Sequence, residues 1–190
     1  CPLPEVANVF RRSGIGFRSV SGHLHHEHAW RRIEGWVNAA KVRQVLRHAR
    51  HGLMGHLYPG MLDVSTDMTL VSSQFGGHME VLEFDDLRVR VEQVTDAQIA
   101  DRKALAREIC EFAESVNDED FDWAARVSVG LDRQVEEFDL DSVAYYHRGL
   151  DGETHERQGA GMILGSSLLT ARGIPIAGEY QVRTILALRI

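Results

Sequence analysis

A parallel-sheet α/β fold is predicted by the order in which short apolar runs and long helical stretches alternate along this chain. Runs of the strand type (Leu53–His56, Met79–Phe84, Leu140–Tyr146) are separated by segments with apolar residues at helical spacing. Strands separated by helices pair in parallel, because a crossover helix returns the chain to the same end of the sheet. The hydrophobic content of 44% over 190 residues is enough for a packed core, and no internal repeat or low-complexity segment interrupts the pattern.

Bulk properties exclude several classes. A net charge of −7 is the wrong sign for a nucleic-acid footprint, and the arginines are scattered. Cys1 and Cys110 are too few for a disulfide framework or a cysteine-based zinc site, which fits a reducing cytoplasm. No run of about 18 apolar residues spans a membrane, and no signal peptide is present. The chain starts without Met and stops at Ile190 inside an apolar-periodic helix, so both ends read as cut.

The elements follow in order. Residues 4–13 read as a helix closed by Gly14, and Phe17–Val20 as a short strand. His23, His25, His26 and His28 then crowd one loop; their spacing fits no compact helical metal pair, and they read as exposed loop histidines. Residues 28–49 form a long helix with Trp30, Ile33, Val37 and Ala40 on its buried stripe. A new strand opens at Leu53, which puts a domain boundary near 50–52.

Within residues 51–190, the loop Leu57–Met61 leaves the carboxyl end of that strand, the edge at which open α/β sheets bind ligands. Asp63 and Asp67 read as turn and helix-start residues. Met68, Val71 and Phe75 mark the next helix, and Asp85 and Asp86 cap a short one from Leu87 to Val91. Thr95 and Gln98 form a capping box. It opens a helix with Leu105, Ile109, Phe112 and Val116 on one face and Cys110 as a core thiol beside it. Asn117 and Asp118 cap a further helix with Ala124, Val127, Leu131 and Val135 inward; the acids from Asp118 to Asp122 read as cap and surface. After the third strand comes the loop His147–Glu156, in which His155 and Glu156 can equally begin the next helix. Gly159, Gly161 and Gly165 mimic a dinucleotide fingerprint, but the spacing is one position late and no first βα turn precedes them. The result is a Rossmann-like central domain with helices on both faces.

A nearly uncharged, small-residue stretch closes the chain: a helix to Gly173, an edge strand Ile174–Ile176, then Glu179. Gly178 frees the backbone to turn, which places Glu179 in the first turn of a helix through Val182, Ile185, Leu186 and Ile190. Local features are satisfied by a helix-start carboxylate favoured by the macrodipole.

Residues 166–180 (SSLLTARGIPIAGEY) resemble the segment carrying the first metal-binding glutamate of the L-arabinose isomerase family. Residues 55–67 (GHLYPGMLDVSTD) and 74–87 (QFGGHMEVLEFDDL) are similar to the opening of its central domain. Val20–His23 through Trp30, with Ile33–Trp36, resemble the end of its first domain. The resemblance implies that residues 1–50 are the tail of a first α/β domain and 51–190 a central domain truncated at its last helix, with the third domain absent. It implies a metal-dependent aldose–ketose isomerase, most simply L-arabinose to L-ribulose. Glu179 would be metal ligand and acid/base, and Met61, Tyr146 and His147 would contact the sugar. Mn²⁺ or another divalent cation, a cytoplasmic location and a homo-oligomer, with segment 95–137 as a candidate interface, belong to the same expectation. The second glutamate and two histidines of the family's site have no counterpart here, so this chain alone is expected to be inactive. A non-catalytic sugar-binding α/β module is the alternative, and an oligomerising remnant a third possibility.

Overall fold

A computed structural model describes residues 2–148 and 153–190, with the side chain of Glu153 outside the description. By contacts the chain divides into residues 1–43 and 44–190.

The first unit holds helix α1 (Leu3–Arg12) and most of α2 (Glu27–His48). Gly14, at φ +69, ends α1, as a left-handed glycine does at many helix termini. Phe10 packs on Phe17 with ring centroids 5.8 Å apart. Phe17–Val20 is not a strand: no ladder partner is described for it, and a strand needs one to satisfy its backbone. His23, His26 and His28 pack ring against ring. The stripe of α2 differs from expectation. Trp30, Ile33 and Val37 are exposed and only Ala29 on that stretch is buried, because the residues of its own unit do not cover it.

The second unit carries a four-stranded sheet in the order β2-β1-β3-β4, parallel throughout. The strands are β1 (Arg50–Gly55), β2 (His78–Leu82), β3 (Ser142–Tyr146) and β4 (Ile176–Ala177). The expected α/β fold is therefore present, with β1 and β3 central. Helices α3 (Met68–Phe75), α4 (Phe84–Glu92), α5 (Asp96–Ile109), α6 (Asp118–Glu137), α7 (Glu153–Ala171) and α8 (Val182–Leu188) occupy the crossovers and the end.

Side chains alternate across a strand, so Met54, Leu82 and Val143 share one face. They form the main core with Leu87 and Val91 of α4, Val127 and Leu131 of α6, and Met162 and Leu169 of α7. The opposite face is covered too, since Leu53 and Ala144 at the same register are 0% exposed. Helix α8 lies on β3 and β4, and α3 contacts β2. Burial on both faces is what makes these strands read as continuous apolar runs.

Helix starts follow local chemistry. Asp67 accepts from the amides of Thr69 and Leu70, Asn117 accepts from Asp120, and Thr95 and Gln98 form the capping box. For α4 the cap is Glu83 with Asp86 at N3, so the helix starts at Phe84, three residues before the expected Leu87. The small residues of α7 serve packing: a Cβ at Gly165 would meet the Ser128 backbone of α6 at 2.9 Å.

Helix α5 corrects a second expectation. It ends at Ile109 and buries Ile99 and Ala106, while Leu105, Ile109, Phe112 and Val116 are exposed. The face toward α6 is set by Ile99 and Ala106, about a quarter-turn around the helix from Leu105 and Ile109. Cys110 caps this helix and is exposed, so it is not a core thiol. Among the described residues no helix is long and apolar enough to cross a membrane.

Candidate functional site

The segments just beyond β2 and β4 and the carboxyl end of β3 border one cavity, and the end of β1 packs beside it on Tyr146. β1 ends at Gly55, φ +86, where a Cβ would run into the carbonyl of Tyr146. Glycine is required there because the two strand ends approach so closely. The amide of His56 then donates to that same carbonyl at 3.2 Å. Tyr146 ends β3 in register with Gly55, and its ring lies against Tyr58 and His56 at centroid distances of 4.7 and 5.3 Å.

His147 follows and stacks on Phe84, 4.7 Å away at 23°. Phe84 is the first residue of α4, just beyond β2, and is 4% exposed. The ring of His155, from the first turn of α7, meets His147 edge-on at 4.8 Å. Its Nε2 lies 3.0 Å from Asp85 Oδ1, and Asp85 also accepts from Arg88 Nε at 2.8 Å.

Glu179 lies in the turn between β4 and α8, not in a first helical turn. Helix α8 begins at Val182 with Gln181 as its N-cap, so the macrodipole argument lapses. Gly178 does not carry the turn either. Glu179 and Tyr180 themselves hold left-handed backbone, at φ +58 and +60. For residues with a Cβ this costs about 1–2 kcal/mol each. Tyr180 is anchored by burial at 4% exposure, and its amide donates to the Tyr145 carbonyl at 2.9 Å.

Of these residues, Phe84, Tyr146, His147, His155 and Glu179 line one cavity of about 460 Å³, together with Glu156. The expected residues Tyr146, His147 and Glu179 meet there. Met61 does not line this cavity; it precedes the 3-10 turn Leu62–Val64, and its amide donates to the carbonyl of Tyr58, the residue that packs on Tyr146. Other hollows carry less chemistry. The groove between α5 and α6 is lined by Lys103, Arg126 and Arg157, each paired with a carboxylate, and by Arg107, which lies over the Phe121 ring.

Burial lowers the pKa of His147, with the neighbouring His155 and His56 adding to the effect and Glu156 opposing it. Its imidazole is therefore predominantly neutral at pH 7. Hydrogen bonds from Arg88 and then His155 hold the Asp85 carboxyl below its usual range. Burial raises the phenols of Tyr145 and Tyr180, the latter helped by Glu83.

The donor set does not fit a complete metal centre. Among the described residues no three His, Cys, Asp or Glu side chains converge on one point.

Phe84, Asp85 and His155 escaped the sequence reading. Asp85 was explained as a cap, and the pairing of His155 with it spans 70 residues, which leaves no local pattern. The close Gly55–Tyr146 approach had one faint signal, a glycine at a strand end before a polar loop.

The parallel sheet flanked by helices defines a Rossmann-like α/β protein, and aromatic, imidazole and carboxylate groups gather beyond the carboxyl ends of its strands, the edge at which open α/β sheets bind ligands. No protein-family model matches the chain. It is similar to the L-arabinose isomerase of a Nocardioides species, at 27% identity over 192 aligned positions. The match covers 97% of this chain but only 37% of that protein, a distant relationship to part of a longer enzyme.

Proposed function

We propose that this chain is part of an aldose–ketose isomerase that converts L-arabinose to L-ribulose through an enediol. The observation that carries the reading is Glu179: an exposed carboxylate held in left-handed backbone at a cavity it shares with Tyr146, His147 and His155. Strain of this kind persists where surrounding structure over-determines it, and it collects at functional sites. The similarity to an L-arabinose isomerase over nearly the whole chain supports the same assignment.

In this reading Glu179 moves the carbon-bound proton between C2 and C1, the task of a positioned acid/base. Tyr146 and His147 bind the sugar, and Met61 acts from the edge of the same loop system. A divalent ion such as Mn²⁺ would take Glu179 as one ligand, with its remaining ligands from outside the described residues, and would supply polarisation of the carbonyl. The isolated chain is therefore inactive, and the working enzyme is a cytoplasmic homo-oligomer.

The second reading is a sugar-binding module without catalysis. It is favoured by the absence of three converging metal-ligand side chains among the described residues.

One assay separates the two. The complete reading frame is tested for L-arabinose to L-ribulose conversion with and without Mn²⁺, as wild type and as Glu179→Gln. Metal-dependent turnover lost in the variant is expected. Turnover that survives the substitution removes Glu179 from the site, and sugar binding without turnover selects the module.

A further inference from the structure

His155 is the most constrained group in the cavity that the isomerase reading leaves without a task. Its Nε2 faces Asp85 Oδ1 at 3.0 Å. An ionised carboxylate only accepts hydrogen bonds, so Nε2 carries a proton and Nδ1 is the nitrogen left to exchange one. The helix that carries His155 is docked where it starts. One turn further on, the buried Gln158 donates from Nε2 to the Phe84 carbonyl at 2.8 Å. α7 thus grips two successive residues of α4, Phe84 and Asp85. The Phe84 ring stacks on His147 and meets His155 at 5.8 Å and 81°, which fixes both imidazoles. The groups facing His155 are Asp85 and Arg88 on α4, His147 beyond β3 with His56 behind it, its neighbour Glu156, and Glu179 across the cavity.

We propose that His155, fixed by Asp85, is the proton shuttle for the sugar oxygens in this cavity. The inference rests on the isomerase reading and adds to it a residue that the resemblance did not mark. Glu179 removes the proton from C2, and the C2–H electrons form the C1–C2 double bond. The displaced carbonyl electrons go to O1, which takes a proton from Nδ1 of the doubly protonated imidazole. In the second half Nδ1 takes the proton of the C2 hydroxyl as the C2 carbonyl forms. C1 recovers the carbon proton from Glu179. Both groups end as they began, and no oxidant or reductant is consumed.

The first test is spectroscopic and needs no turnover. The full chain is labelled with ¹⁵N-histidine, and His155 and His147 are assigned with His155→Gln and His147→Gln. Neutral His155 is expected as a single Nε2–H tautomer that becomes a mixture in Asp85→Asn, and its Nδ1 signal is expected to shift with L-arabinose. A mixed tautomer in the wild type overturns the proposal. A sugar response at His147 with none at His155 overturns it and leaves the sugar site standing; no response at either overturns both. The second test uses the complete reading frame. His155→Gln is expected to lower kcat by about 10²-fold or more with KM within a few-fold, and to remove one limb of the pH profile. A wild type without turnover defeats the isomerase reading. An active wild type matched by His155→Gln defeats the shuttle alone.

Discussion

The amide of Tyr180 donates to the carbonyl of Tyr145 at 2.9 Å, and this bond ties the turn carrying Glu179 to the end of β3. Tyr180 is buried while Glu179 beside it is exposed. The left-handed pair is thus pinned at one residue and presents the other.

Replacing Glu179 by glycine removes a backbone cost of about 1–2 kcal/mol, less about 0.5–1 kcal/mol for glycine's larger unfolded-state entropy. Glu179→Gly is therefore expected to be more stable than wild type by about 0.5–1 kcal/mol in urea unfolding. Glu179→Gln should match wild type. A loss of stability in the glycine variant would mean that the carboxylate holds the fold rather than serving the cavity.

Gly55, the last residue of β1, and Gly178, the residue after β4, should behave oppositely. A Cβ at Gly55 strains left-handed backbone and collides with the Tyr146 carbonyl, whereas one at Gly178 meets nothing within 4 Å. Gly55→Ala is expected to lose on the order of 3 kcal/mol and to disturb the Tyr146 ring. Gly178→Ala should stay within about 0.5 kcal/mol of wild type. Thermal unfolding with near-ultraviolet dichroism reads both effects.

His51, fully buried in β1, bonds Ser142 Oγ through Nδ1 at 2.7 Å. Burial lowers its pKa, Asp141 opposes the shift and Arg189 adds to it. A folded pKa below the unfolded value of about 6.5 means that the unfolded chain binds the proton first. Stability is therefore full above about pH 6.5 and falls as the pH drops below it toward the folded value. His147 contributes with the same sign. Unfolding free energies measured from pH 8 to pH 5 should decline across the acid side. The decline should be shallower in His51→Leu, and an unchanged slope would exclude His51 as its source.

Asp132 on α6 pairs with Arg102 of α5, both side chains 12% exposed, and also with Arg172 beyond α7. Arg102 donates to Ser128 Oγ as well. Removing one partner of a largely buried pair strands the other, so Asp132→Ala is expected to cost about 3 kcal/mol. The double variant with Arg102→Ala should cost less than the sum of the two single changes. Additive losses would show that the pair does not couple α5 to α6.

Local chemistry was legible where residues answer to near neighbours. Asp67, the Thr95–Gln98 box and Asn117 announce their helices, and apolar runs mark β1 and β3. The α/β order followed from them. Phe17–Val20 was misread because strand propensity is empty without a paired edge. The faces of α2 and α5 were misread because periodicity reveals an apolar stripe, not what covers it. At the cavity, Tyr146, His147 and Glu179 were marked by their place beyond strand ends and by resemblance. The Asp85–His155 contact was not, since it joins two helix starts through tertiary packing alone. The turn at Glu179 was assigned to Gly178 by propensity, whereas the buried Tyr180 overrides propensity there.

The central pairing of the sheet joins residues far apart in the chain: His51 and Ser142 lie 91 positions from one another. Closing so long a loop brings no reward until β3 exists, so folding is intrinsically slow for this topology. During synthesis β1 leaves the ribosome first and can pair with β2 through α3, yet its other edge stays open until Tyr146 has been made. That open edge is a template for wrong partners, and an arrested chain ending before β3 is the species a chaperone would have to shield.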